Sequence, residues 1–207
     1  WQQTLCHVLT LQPQHLSLYQ LKIEEDTVME QWLQQGVIEE FDDGLALELY
    51  RAGQTILAEH GYHQYEISNY ALDGYSSIHN QVYWKTEPYL GLGLGACSWL
   101  RPLRWNNSFD MDDYLTQLQQ GALPQQEPEQ LTEREQMEEM VFMALRMNQG
   151  LQWEAFARRF GKRAEDVFAA ALQRCKAQNW LAERADRVML TEEGRVLGNL
   201  VFLEFME

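Results

Sequence analysis

The chain has 207 residues, 45% of them hydrophobic and 23% charged, a balance that suits a folded protein with its own core. No run of about 18 uncharged apolar residues occurs, which excludes a membrane-spanning helix. The net charge of −15 argues against nucleic acid and anionic membrane as partners, because both attract basic surfaces.

The first residues, "WQQTLCHVLTLQPQH", lack the basic start and small-residue cleavage site of a secretory signal. They read as an amphipathic helix entered part-way, so the chain is expected to be a fragment of a longer one. "HLSLYQLKI" (15–23) alternates apolar and polar residues, as a half-buried strand does. "FDDGLALELYRAGQTILAEHG" places Leu45, Leu49, Ala52 and Ile56 at helical spacing and stops at Gly61. "YHQYEISNY" (62–70) is aromatic and β-branched enough for a second strand, and "YLGLGLGACSWL" (89–100) for a third. Strand, helix and strand at these lengths predict parallel βα units, too few to close a barrel.

"GALPQQEPEQ" (121–130), with two prolines and no periodicity, reads as a linker, and a domain boundary is placed near residue 125. Residues 1–126 hold 16 acidic and 5 basic side chains, against 15 and 11 in residues 127–207. Beyond the boundary "LTEREQMEEMVFMALRM" opens with a capping box, Thr132 with Glu135, and sets Met137, Met140, Val141, Ala144 and Leu145 on one face. Shorter helices over 152–160 and 163–178, two strands in "NWLAERADRVMLTEEG" and a last helix complete a winged-helix-like module. Its presumed recognition helix sets Arg163, Arg174 and Lys176 against Glu165 and Asp166, too balanced to follow phosphates; a packing or lid role is expected instead.

Cys6, Cys97 and Cys175 are scattered and form no CxxC spacing, so neither a disulfide framework nor a local metal motif is supported and a reducing cytoplasm is the simplest setting. The stretch with most chemistry is "IHNQVYW" (78–84), expected to lie in a loop. His79 can ligate a metal or haem iron, Asn80 can orient a polar edge, and Tyr83 and Trp84 offer flat faces to a planar ligand. The alternative is that His79 caps a loop and the aromatics are core. "GLGLG" (91–95) has the wrong spacing for a dinucleotide fingerprint; it suits either a strand end beside a cofactor or a tight turn. Cys97, just beyond it, reads as a small buried hydrophobe or a reactive thiol. On the first strand His15, Ser17 and Tyr19 share one face and Leu16, Leu18 and Gln20 the other; the polar residues toward its carboxyl end are the functional candidates.

In order, "PQHLSLYQLKIEEDT", "GYHQYEISNYALDGY", "HNQVYW" and "YLGLGLGACS", followed by a helical module with "LTEEG" near its end, resemble the oxygen-independent coproporphyrinogen III oxidase-like family of radical SAM proteins, and within it the haem-chaperone branch. The resemblance covers nearly the whole chain. It implies an α/β fold, the carboxyl-terminal part of a partial (β/α)6 barrel over residues 1–125, then a helical winged-helix-like domain over 126–207. It also implies a [4Fe-4S] cluster held by a CxxxCxxC loop that this chain lacks, and S-adenosylmethionine, which the cluster would reduce to a 5′-deoxyadenosyl radical in the full protein. Haem binding would fall to His79, Asn80, Tyr83 and Trp84, and the SAM pocket to Gln20, Gly93, Gly95 and Cys97, although chaperone-branch sequences commonly have histidine where this chain has Cys97. The implied function is haem binding and delivery to an acceptor protein in the cytoplasm. Oxidative decarboxylation of coproporphyrinogen III and an inactive structural fragment are the alternatives.

Overall fold

Polar caps set where the helices begin. The structure, a computed structural model, describes residues 1–39 and 42–206, and it divides into two compact units, Trp1–Ser77 and the residues from Ile78 onward. In the first unit the elements are α1 (Gln2–Thr10), β1 (His15–Ser17), α2 (Val28–Gln34), α3 (Asp43–Glu59), β2 (His63–Gln64) and β3 (Asn69–Ala71). Thr27 caps α2 by accepting from the Glu30 amide, and Asp42 caps α3 by accepting from the Leu45 amide at 2.8 Å. Phe41, which opens the predicted helical stretch, lies outside the described residues.

The predicted stripe on α3 is displaced. Leu45 and Leu49 are exposed, and the buried positions are Gly53 and Leu57. Gly53 decides this, since a Cβ there would stand 3.1 Å from Leu18 Cδ2: the missing side chain lets Leu18 reach the helix. Leu57 then joins Tyr62 and Tyr70 in a core against Leu9, Leu16, Leu18 and Leu72.

The expected parallel pairing is corrected. β1 runs antiparallel to β3 (Leu16 opposite Tyr70), and β2 is antiparallel to β3 on its other edge (Gln64 opposite Tyr70). The cause is a chain reversal inside the single strand expected over 62–70. There the Tyr65 amide donates to the Asn69 carbonyl at 3.1 Å, and the buried Glu66 carboxylate accepts from the Ser68 amide and the Asn69 side chain. The strand expected over 15–23 is regular only as far as Ser17. On this sheet His15 Nε2 and the Tyr65 hydroxyl share a 2.7 Å hydrogen bond, and Ser17 donates to Asn69 at 2.6 Å.

The second unit begins with α4 (Ile78–Trp84), so the segment expected to be a loop is helical. β4 (Cys97–Leu100) and β5 (Leu103–Asn106) follow, then α5 (Met111–Gln119) and β6 (Glu129–Gln130), which pairs with β5. Of the strand expected over 89–100 only Cys97–Leu100 is regular; Tyr89 bridges to Trp99, and the glycines between them turn the chain back, Gly93 with φ +113° and Gly95 with φ +65°. The proline-bearing stretch 121–130 runs beside β5, where Gln126 donates to the Asn106 carbonyl at 2.8 Å.

α6 (Glu133–Arg146) carries the capping box of Thr132 and Glu135 and buries Met137, Met140, Val141, Ala144 and Leu145. Beyond it lie β7 (Leu151–Gln152), α7 (Trp153–Phe160), α8 (Ala164–Val167), α9 (Ala169–Ala177), β8 (Leu181–Arg184), β9 (Arg187–Leu190), α10 (Glu192–Val196) and α11 (Gly198–Leu203). The sheet β7-β9-β8 is the wing, and Phe156, Phe168 and Phe205 stack edge to face beneath the helices. The balanced charges of the presumed recognition helix form ion pairs: Arg163 with Glu165, Arg174 with Glu204 and Lys176 with Glu183. Among the described residues no helix is long and apolar enough to cross a membrane, and the sheets do not close a barrel.

Candidate functional site

Two helical turns sort the mixed heptad into two adjacent stripes. His79 and Tyr83 stand four residues apart on one, Asn80 and Trp84 on the next. His79 is exposed; its Nε2 and the Tyr83 hydroxyl share a 3.1 Å hydrogen bond, and the two rings meet edge to face at 5.0 Å. That bond orients the imidazole and leaves Nδ1 as the ring nitrogen open to a ligand. An oriented surface imidazole backed by aromatic faces is a donor set that fits an iron porphyrin.

Tyr83 is also the start of a row. Its ring lies 4.6 Å from Tyr89, again edge to face, and the Tyr89 hydroxyl donates to Cys97 Sγ at 3.7 Å. Burial first, and then the Cys97 thiol, push the Tyr89 phenol up, so it remains protonated. The row brings His79 and Tyr83 into line with Cys97, at the end of the glycine turn. Tyr89 is the link that sequence reasoning missed. Nothing in its neighbours marks it; only the paired bonds between Tyr89 and Trp99, both 2.9 Å, carry its ring to this place.

Beneath the row Arg104 pairs with Glu139 and lies 4.9 Å over the Trp99 ring. A cavity of about 40 Å³ opens there between Tyr83, Tyr89, Trp99 and Glu139, and the buried Trp99 Nε1 and Glu139 Oε2 have no hydrogen-bond partner among the described residues. At the carboxyl end of α4, Thr86 adopts a left-handed φ of +48°. The Glu87 amide reaches back to the Val82 carbonyl at 2.9 Å, and Arg159 from α7 donates to the Thr86 hydroxyl and, at 3.2 Å, to the Lys85 carbonyl.

The glycine turn is built by contact of backbone with backbone. A Cβ on Gly91 would stand 2.2 Å from the Cys97 carbonyl oxygen, and the Asn107 side-chain amide donates to the carbonyls of Gly91 (3.3 Å) and Gly93 (2.8 Å). Gly91→Ala is expected to cost on the order of 3 kcal/mol, because no flexible side chain can yield to the new methyl. Gly121→Ala, at φ +74° with nothing within 4 Å of the added carbon, is expected to cost only about 1 kcal/mol. Urea denaturation of the two variants measures the difference, and equal losses would show that the contact at Gly91 yields freely.

Gln20 is exposed and belongs to the first unit, whereas Gly93, Gly95 and Cys97 belong to the second. The chain's own residues do not fit an iron-sulfur cluster. Cys6 is exposed, Cys97 is engaged by Tyr89, and Cys175 is buried, which pushes its thiol up to about 11. Among the described residues no three His, Cys, Asp or Glu side chains converge.

Comparison with known proteins gives a consistent set. Residues 131–197 match the model of the HemN C-terminal domain. The "Heme chaperone HemW" of Bacillus subtilis (strain 168) is 32% identical over 211 residues, covering 99% of this chain and 56% of that protein. The "Radical S-adenosyl methionine domain-containing protein 1, mitochondrial" of Mus musculus is 45% identical over 96 residues, 46% of this chain and 22% of that protein. Among solved structures, that of the Escherichia coli coproporphyrinogen III oxidase (HemN), described as a radical SAM enzyme, superposes with a TM-score of 0.74 at 17% identity, over 98% of this chain and 50% of that one, a likeness of fold. The chain spans about half the length of the first two HemW relatives it matches, 56% and 52%.

Proposed function

We propose that the chain, similar to HemW proteins over nearly its whole length and to the HemN C-terminal domain over residues 131–197, is part of a radical SAM protein of the oxygen-independent coproporphyrinogen III oxidase-like family and of the haem-binding chaperone type, with His79 as ligand to the iron. The observation that carries this reading is the exposed, oriented imidazole of His79 on α4, with Tyr83 against its edge. In this reading Tyr83 holds the ring and Asn80 and Trp84 offer a polar edge and a flat face beside it. The protein would pass haem to an acceptor protein in the reducing cytoplasm, a setting that three free thiols suit.

A [4Fe-4S] cluster and S-adenosylmethionine, supplying radical chemistry when bound, would be held mainly by the remainder of the full protein. Gln20, Gly93, Gly95 and Cys97 are this chain's proposed contribution to the SAM pocket. The family match beginning at residue 131 is the ground for a domain boundary near 125, with 1–125 as barrel and 126–207 as winged-helix-like domain, a boundary that falls inside the second of the two compact units.

The solved oxidase of the same fold favours a second reading, conversion of coproporphyrinogen III. Product analysis separates the two. The anaerobically reconstituted full-length protein, given SAM, reductant and coproporphyrinogen III, is expected to yield no decarboxylated product, while titration with haem produces a Soret shift. Turnover of the porphyrinogen would replace the chaperone reading with the oxidase one.

A further inference from the structure

Trp84, the last residue of α4, also lines a groove of about 480 Å³ within the second unit. The floor is apolar, from Met140 and Ala144 on α6, Met147 just beyond it, and Leu151 on β7. The rim is cationic: Lys85, Arg101, Arg158 and Arg159, with Glu87 the carboxylate among the lining residues. This runs against the composition. Residues 1–126 contain only 5 basic side chains, and two of them stand here.

The cations are unequally committed. Arg158 pairs with Glu154 at 2.9 Å. Arg101 has no hydrogen bond or ion pair among the described residues, and Arg159 bonds only to a hydroxyl and a carbonyl, both neutral. Arg159 is half-buried; burial first, and then the like charge of Arg101, lower its proton affinity. Two adjacent guanidinium groups, one partly desolvated and neither ion-paired among the described residues, make a place where an anion offsets an unfavourable charge that the nearby carboxylates of Glu87 and Glu139 offset only in part at Arg159. The volume falls in the range of small-molecule sites, about 300 to 1,000 Å³. A bare inorganic anion would leave the methionine and leucine floor unused. The chemistry that fits is a carboxylate on an apolar body.

We propose that this groove takes the carboxylate arms of a tetrapyrrole, with Arg101 and Arg159 as anchoring cations and Met140, Met147 and Leu151 against the alkyl part. The proposal rests on the haem reading of α4. Trp84 joins the two places, being both a member of the His79 helix and a wall of the groove. It lies five residues beyond His79, about 7.5 Å along the helix axis and about 140° around it at 3.6 residues per turn, so a macrocycle held at His79 has to extend round α4 for its arms to enter the groove.

Iron-free protoporphyrin IX and its dimethyl ester, titrated into the full-length protein by fluorescence, separate anchoring from iron ligation. The wild type is expected to prefer the free acid by at least about tenfold, and Arg101→Gln to reduce that preference by about tenfold, one charge-assisted bond. Arg159→Gln should do the same; since it also removes bonds to Lys85 and Thr86, Arg101→Gln, which has no partner to lose, decides. Equal affinity for acid and ester, no binding of the acid, or an intact preference in Arg101→Gln overturns the anchoring role, and none of these touches the reading of His79. Unaltered haem binding by His79→Ala, with the acid preference kept, would remove the iron-ligand reading and leave the groove.

Discussion

Phe156→Ala is expected to lower the stability of the second unit by about 3 to 5 kcal/mol, the usual cost of emptying a buried phenylalanine site. The ring on α7 is completely buried; it lies 4.8 Å from Phe160 and 6.1 Å from Phe168, and Phe168 in turn meets Phe205 near the carboxyl end. Removing the ring takes away one of the contacts of Phe168 as well as its own apolar area. Collapse around the gap is opposed, because α6, α7 and α9 are packed from several sides. The thermal midpoint should fall on the order of 10 °C or more. Leu200→Ala, at an exposed position, should change stability by no more than about 0.5 kcal/mol. If Phe156→Ala unfolds within about 1 kcal/mol of the wild type, the aromatic stack is not the centre of the unit.

His79→Ala in the full-length protein is expected to abolish or strongly shift the Soret band of the haem complex while leaving the thermal midpoint nearly unchanged. The two halves of this expectation have separate grounds. If His79 ligates the iron as proposed, that bond is lost outright. The fold is spared because His79 is exposed on a helix and alanine is the better helix former, a gain that opposes the loss of the 3.1 Å bond to Tyr83. Tyr83→Ala and Trp84→Ala should instead weaken haem binding by about 1 to 3 kcal/mol each, through lost contact with the ring. If the aromatic residues serve only packing, the ranking inverts: Tyr83→Ala and Trp84→Ala melt early and His79→Ala does nothing. Haem titration and melting of the three variants distinguish the cases, and an unchanged spectrum in His79→Ala removes the ligand assignment.

What could be read from the sequence was local. The capping box of Thr132 and Glu135 and the stripe from Met137 to Leu145 both appear as read, since each depends on residues within a few turns of one another. The wing was legible for the same reason, two short strands around a turn. The antiparallel pairing of β1 with β3 was not, because it turns on the Glu66 carboxylate folding back to Ser68 and Asn69, a reversal hidden inside an unbroken β-like run. α4 escaped notice because two turns are too short to show a period or to be stable alone, and its helicity comes from the unit around it. On α3 a single glycine, Gly53, moved the buried stripe to a neighbouring face. Of the site, His79, Tyr83 and Trp84 were visible as chemistry, but Tyr89 and the gathering of Lys85, Arg101 and Arg159 depend on contacts between distant stretches.

The left-handed turn at Thr86 has a mechanical consequence. A β-branched residue at φ +48° costs about 1 to 2 kcal/mol, so the last turn of α4 is wound against a spring. The latch is Arg159, whose guanidinium holds the Thr86 hydroxyl and the Lys85 carbonyl together. A carboxylate that drew this arginine toward the groove would loosen the latch, and the helix would begin to fray from the end nearest Trp84. By reciprocity, if an anion at Arg159 loosens α4 in this way, a ligand that stiffens the helix at His79 would weaken the hold of Arg159 on that anion by the same factor.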